Sequence, residues 1–383
     1  MSAEALRPGI DAALRIAAEF GLGSPTAIER LASGHINESF AIAVHERRML
    51  LQWINPFVFP DAARVQDNVE CVLDHLASVV PEAGYPLLLA TGDGRRRVEA
   101  EEGLWRAMSW LPDRLTLARP VDAAQARAGA MAVGAFDRAL ASLPAGRLHD
   151  VLHGFHDLRA RLHAFDAARA GASPARLRAA KAELAAVDAD REERVAAASH
   201  AAGSGTLRVI HGDPKFTNVL LPGDPDRGGP DAGAALLVDY DTVMPGALAH
   251  DFGDCLRSAA AAGDEDAQRG SEVRVDCMLA AARGFLQGLL RQSASGPGAD
   301  SAVVPAALLD AERRALAPAP AAMAFMLGVR FLTDWLLNDR YFRIHHPRHN
   351  LQRAATQLRL ARAFAVLEAR LETAIESAIE SAA

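Results

Sequence analysis

The sequence predicts an α+β fold of two lobes, on three observations. The chain of 383 residues is longer than one average domain and shorter than three comfortable ones. Up to Leu111, short β-branched and aromatic runs alternate with polar or glycine turns around one helix-like segment. From Asp122 onward apolar residues recur at helical spacing almost to the end. Hydrophobic residues at 50%, charged residues at 23% and a mean hydropathy of +0.03 suit a soluble globular protein. No apolar run approaches the roughly 18 residues of a membrane span. The N-terminal "MSAEALRPGIDAALRIAAEF" interleaves charges with its apolar residues, unlike a secretory signal, so the cytoplasm is the expected compartment and no membrane partner is expected. Three widely spaced cysteines, Cys71, Cys255 and Cys277, form neither a disulfide framework nor a zinc motif. A net charge of -7 without a basic block argues against a nucleic-acid partner.

The elements follow in order. A helix over about residues 3–20 precedes strands in "TAIERLAS", "SFAIAVH" and "RMLLQWI". A helix then fits "DAARVQDNVECVLDHLASVV", capped by Asp61 and stopped by Pro81 and Gly84. Further strands end in "LWRAMSWLP", completing a small antiparallel sheet with one crossing helix over residues 1–111. Residues 112–383 read as a helical lobe, with the boundary near Leu111 to Arg119. Its long segments are "VDAAQARAGAMAVGAFDRALASL", the Ala, Arg and Glu rich stretch Arg159 to Ala202, and helices running on to residue 380. "QSASGPGAD" reads as a surface connection, and no internal repeat is visible.

Two short strands interrupt those helices, in "VIHGDPKFTNVLLPG" (209–223) and "LLVDYDTVMPG" (236–246). Phosphoryl transfer from a nucleotide needs a carboxylate to orient and deprotonate the acceptor hydroxyl, a neutral oxygen ligand for Mg2+, and a further carboxylate for the metal. The D-x-x-x-x-N spacing lets one loop aim Asp213 and Asn218 at a common point. Asp239, ending an apolar run, is then the metal carboxylate, and Lys215 is a compact positive charge for the transferring phosphate. If the segment after Asp239 stays extended, Asp241 points to the same side and is a second metal ligand or a loop support. His211 reads as structural support for the loop.

"HGDPKFTN" followed by "LVDYD" resembles the catalytic and metal motifs of the aminoglycoside phosphotransferase family, relatives of the protein kinases. "SGHINESFAI", "LLQWINPFVFPDAARVQDNVECV", "FHDLRARLHAF", "DTVMPGALAHDFGDCLRS" and "GVRFLTDWLLNDRYFRIHHPRHNLQRAATQL" further resemble the N-acetylhexosamine 1-kinases within that family. The resemblance implies a two-lobed protein kinase-like fold with ATP and Mg2+ in the cleft. It implies a kinase that phosphorylates a small sugar, at the anomeric hydroxyl of N-acetylglucosamine or N-acetylgalactosamine. It also implies that Asp251 in "AHDFGD" braces the catalytic loop, and that His35, Arg330 and Tyr341 contact the sugar. The same fold serves acceptors such as aminoglycosides, choline or other small alcohols, and a nucleotide-binding pseudokinase is the rival from another class.

"SGHINES" reads as a turn between strands that covers nucleotide phosphates, through Gly34, Asn37 and Ser39. The third strand departs from the kinase pattern. Where kinases carry a lysine paired with a helix glutamate, this chain offers Gln52, with Glu70 as the candidate helix partner. A neutral amide does not neutralise phosphate, which leaves nucleotide affinity and ATP against GTP open; Arg47 or Arg48 could compensate, though both read better as surface residues flanking a turn. Arg330 and Asp334, four apart, fit a helix-surface ion pair as well as a ligand contact. The clusters His153, His156, His163 and His345, His346, His349 lack the cysteines or acids of zinc sites and read as packing or capping.

Overall fold

The computed structural model describes residues 7–21, 25–31, 36–45, 47–202, 207–223, 234–263, 272–291 and 308–382. The chain forms two compact units: Met1–Asp113 with Gly146–Leu152 and Tyr240–Val243, and the remainder.

The first unit holds α1 (Ile10–Glu19), β1 (Ala27–Arg30), β2 (Glu38–Val44), β3 (Arg47–Trp53), α2 (Ala62–Val79), β4 (Val98–Ala100) and β5 (Gly103–Ser109). Its strands form one antiparallel sheet in the order β1-β2-β3-β5-β4. Alternation sorts the two faces. Phe40, Ile42, Met49, Leu51, Trp53, Trp105 and Ala107 lie on one face and pack against Ala13, Ile16, Ala17 and Phe20 of α1. Ser39, Gln52 and Arg106 are directly opposed across β2, β3 and β5, on the other face. The Asp61 side chain caps α2 by accepting from the Arg64 N–H at 3.1 Å.

The second unit holds β6 (Arg114–Thr116), α3 (Ala123–Ala139), α4 (Leu158–Gly171), α5 (Pro174–Ala179), α6 (Lys181–Ala202), β7 (Arg208–Ile210), β8 (Val219–Pro222), β9 (Leu236–Leu237), β10 (Met244–Gly246), α7 (Leu248–Ala260), α8 (Val275–Leu290), α9 (Asp310–Leu316), α10 (Ala319–Leu336), α11 (His349–Val366) and α12 (Glu368–Glu380). The Ala, Arg and Glu rich stretch from Arg159 to Ala202 is divided among three helices, α4, α5 and α6. Ser173 caps α5 by accepting from the Arg176 N–H, and Pro174 occupies its first position, where a missing N–H costs nothing. Small strands pair β7 with β10 and order β6-β8-β9, so the two polar motifs of the sequence sit at strand ends. The connection 292–300 read as a surface loop lies outside the described residues. No single helix among the described residues is long and apolar enough to cross a membrane. Cys255 and Cys277 are buried thiols, and Cys71 is half-buried.

Candidate active site

In the second unit, the loop between β7 and β8 is built around Gly212, whose φ of +84° is the left-handed conformation that glycine adopts at no steric cost. The Asp251 carboxylate on α7 accepts the N–H groups of His211 at 2.6 Å and Gly212 at 2.8 Å. The fully buried His211 ring donates from Nε2 to the Val238 carbonyl at 3.1 Å, so its Nδ1 accepts the Asp213 N–H at 3.3 Å. Burial holds this imidazole neutral, its pKa pushed down to about 3. His211 therefore joins the Asp213 loop to the residue before Asp239. Through these bonds His211 and Asp251 hold the backbone of the Asp213 loop.

Asp213 forms an ion pair with Lys215, Oδ2 to Nζ 2.7 Å, and both side chains remain about a quarter exposed (25% and 24%). Burial raises the Asp213 pKa above the ordinary carboxylate range; Lys215 opposes the rise and Asp254 adds to it. Asn218 donates from its side-chain amide to the Asp213 carbonyl at 2.9 Å. The β8–β9 register opposes Val219 to Leu237, and the Val238 N–H reaches the Asn218 carbonyl at 2.9 Å, which brings Asp239 to the flank of Asn218. Asp239 is exposed and adopts a φ of +74°, a left-handed conformation costing a non-glycine residue about 1 kcal/mol. Such strain concentrates at functional positions.

With its N–H2 bound to Asp213, Asn218 keeps its amide oxygen for another partner. An amide oxygen beside a carboxylate is a donor set that suits Mg2+, which binds through one or two carboxylates plus phosphate oxygens. Among the described residues no group of three or more His, Cys, Asp or Glu is gathered to hold a metal. Asp241 departs from the sequence expectation. The left-handed Asp239 and the 3-10 turn Tyr240–Thr242 break the extended geometry that would have aligned the two carboxylates. Asp241 belongs to the first unit, is 3% exposed, pairs with Arg106 at 2.5 Å and accepts from Asn37. Its bonds there make it the counter-ion of Arg106.

Also in the first unit, Ser39 Oγ accepts from Gln52 Nε2 at 3.1 Å, and Asn37 Oδ1 accepts the Asn55 N–H at 2.9 Å. Gln52 does not pair with Glu70. Its oxygen accepts from Arg106 Nε and Nη2 at 3.0 and 2.8 Å, while Glu70 accepts from Gln66 at 3.0 Å. Its N–H2 group could donate to a carboxylate, but it is turned to Ser39 Oγ instead. Arg106 escaped the sequence reading, although an arginine inside the apolar strand "LWRAMS" was its signal. Arg48 instead stacks on Trp110, 4.5 Å from the ring centre. Gly34 and His35 lie outside the described residues.

Beside the Asp213 loop, His156 bonds to the Gly212 carbonyl at 2.9 Å and its ring meets that of Phe155, with centres 4.6 Å apart. The Arg330 guanidinium lies over Phe155 at 4.8 Å and Phe342 at 5.5 Å. Arg161 also reaches Phe155, at 5.9 Å. Burial, then the neighbouring Arg330, push the Arg161 pKa down to about 10. Asp334 forms no ion pair with Arg330; it is buried and accepts the N–H groups of Arg340, Tyr341 and Phe342 at 2.8, 2.8 and 2.9 Å. It thereby shapes the turn that presents the exposed Tyr341. Of the second histidine cluster, His349 Nδ1 accepts the His345 N–H at 3.2 Å, and its ring lies tilted against that of His346 with centres 4.5 Å apart.

Three solved structures share this architecture. An aminoglycoside phosphotransferase from Alicyclobacillus acidocaldarius matches 97% of both chains with a TM-score of 0.60 at 17% identity. The microcompartment-associated aminopropanol kinase matches 94% of this chain and 98% of its own, with a TM-score of 0.57 at 15% identity. An ethanolamine kinase from Plasmodium vivax matches 86% of this chain and 82% of its own, with a TM-score of 0.54 at 11% identity. At these identities the likeness is one of fold, the mixed α+β, protein kinase-like fold. The phosphotransferase enzyme family matches residues 27–289, a span that contains the sheet, the Asp213 loop and Asp239, and the chain belongs to that family of kinases acting on hydroxyl acceptors.

Proposed function

We propose that this small-molecule kinase transfers the γ-phosphate of ATP to a sugar hydroxyl, the anomeric hydroxyl of an N-acetylhexosamine. Asp213 orients that hydroxyl and takes its proton, a task that favours a carboxylate with a raised pKa over a fully solvated one. Lys215 offsets charge on the γ-phosphate. Asn218 and Asp239 hold Mg2+, which when bound neutralises charge on the phosphate oxygens. Gly34, Asn37, Ser39 and Gln52 contact the nucleotide, and His35, Arg330 and Tyr341 contact the sugar.

The observation that carries the choice of acceptor is the cationic, aromatic wall beside Gly212. Arg161 and Arg330 both lie against Phe155, whose neighbour His156 is bonded to the residue preceding Asp213. Two guanidinium groups repel an ammonium acceptor such as an amino alcohol or a polycationic antibiotic. Their N–H donors and the adjoining rings suit a neutral polyol bearing an acetamido group.

Phosphorus NMR of products from a panel of hexoses, hexosamines, ethanolamine, choline and kanamycin tests this reading. A phosphate coupled to H1 of an N-acetylhexosamine is the expected outcome. Phosphate on C6, or transfer only to the cationic acceptors, would refute it.

A further inference from the structure

We propose that Arg106 is a positioning residue for nucleotide binding, which fixes the Gln52 amide with its N–H donors turned toward β2 and so stands in for the lysine that kinases carry on this strand. The inference rests on the kinase reading above.

Ser39, Gln52 and Arg106 are cross-strand neighbours on the sheet face opposite α1, so one register places all three side chains in a row. The Arg106 guanidinium has only donors, and it grips Gln52 Oε1 through two N–H groups at 3.0 and 2.8 Å. The amide oxygen has to face Arg106, which forces the N–H2 group the other way. One of its hydrogens goes to Ser39 Oγ at 3.1 Å, and the second has no acceptor among the described residues. Gln52 is half-buried, unlike Arg106 at 1% exposure, so a phosphate oxygen can reach the amide but not the guanidinium.

A buried guanidinium persists only with a counter-charge. Asp241, at 2.5 Å from Nη1, supplies it and also accepts from Asn37 of the β2 turn. One buried ion pair thus sets the side chains of Gln52 and Asn37 together. A donor whose oxygen is held by a cation is polarised and donates more strongly. A lysine at position 52 would instead set an ammonium against Arg106, a repulsion amplified by the low-dielectric surroundings.

Titration calorimetry with AMP-PNP and Mg2+ on the full chain, together with thermal unfolding, tests the assignment. Gln52→Glu keeps the acceptor that Arg106 needs, so its unfolding midpoint should match that of the unmodified protein. Its nucleotide Kd should nevertheless weaken about 30-fold, the loss of one hydrogen bond to a charged group. The KM for the acceptor should not move, a split that a merely structural role would not produce. Gln52→Lys should weaken nucleotide binding as well, and Gln52→Lys with Arg106→Met should recover most of it, because the new ammonium can then pair with Asp241. Folded Gln52→Glu and Gln52→Lys proteins that bind AMP-PNP within about threefold of the unmodified chain would overturn the role of Arg106 alone. Failure of the unmodified chain to bind AMP-PNP would overturn the kinase reading, and this inference with it.

Discussion

Asp213 is held between opposing influences. Burial and Asp254 favour its neutral form, and the Lys215 ammonium at 2.7 Å favours the carboxylate. A carboxylate in this state accepts a proton readily yet remains charged enough to orient a hydroxyl, as the role proposed for Asp213 requires. Asp213→Asn keeps the shape and the backbone bonds to His211 and Asn218 but removes the proton acceptor. We expect turnover to fall about 1,000-fold, the middle of the range for general-base loss, while nucleotide binding by calorimetry stays unchanged. Residual turnover within tenfold of the original would remove Asp213 as the base. The polar residues of this loop were legible in the sequence because a single loop fixes their relative positions by spacing. Arg106 was not, because it meets Gln52 across strands separated by more than fifty positions in the chain.

Among the helices, α3 lies against the Asp213 loop, its Phe136 meeting the His211 ring, and α8 packs on α3. Gly129 of α3 leaves room for the ring of Phe216, where a Cβ would stand 2.5 Å from Cε2. The helices themselves meet through glycines: a Cβ at Gly288 would lie 2.2 Å from the Met131 carbonyl oxygen, and one at Gly284 2.2 Å from that of Arg127. Helix propensity alone favours Gly→Ala by about 1 kcal/mol. Overpacking against backbone that cannot swing aside costs about 1–3 kcal/mol, and at 2.2 Å the upper end applies. Gly288→Ala should therefore lower the melting temperature by about 4 °C or more; a rise would show that propensity wins and that the helices can part. Periodicity showed α3 and a helical region that includes α8, but the closeness of their approach is a property of the pair. The Pro174 break and the Asp239 kink were likewise hidden, since each depends on which neighbours satisfy the backbone locally.

At the scale of the whole molecule, buried titratable groups oppose one another in their pH dependence. Burial pushes His211 down to about 3, His250 down to about 4 and His156 well below 6.5. These rings stay neutral in the fold while the unfolded chain takes up protons below about 6.5, so stability is lost as pH falls through that range. Asp137 on α3 runs the other way. Burial and the neighbouring Asp251 raise its pKa well above 3.8, and burial raises Asp251 to about 7. The fold keeps protons that the unfolded chain releases, so this contribution is intact in acid and lost as pH rises. Urea midpoints should thus peak near pH 6.5 and fall on both sides. Asp137→Asn should flatten the alkaline limb, its urea midpoint falling less than that of the original as pH rises. An unchanged limb would exclude the carboxyl pair as its cause.

The sequence by itself determined what depends on neighbours along the chain: the order of strands and helices, the Asp61 cap, and a loop carrying Asp213, Lys215 and Asn218 ahead of Asp239. Spacing and periodicity suffice for these because covalent geometry limits where nearby residues can point. Tertiary structure decided the partners of Gln52 and Asp241, the break of Asp334 from Arg330, and the cationic wall of Arg161 and Arg330 beside Gly212. Each of these is a pairing between residues distant in sequence, chosen by burial: once out of water, a charge or an amide has to take the complementary group that the fold sets beside it.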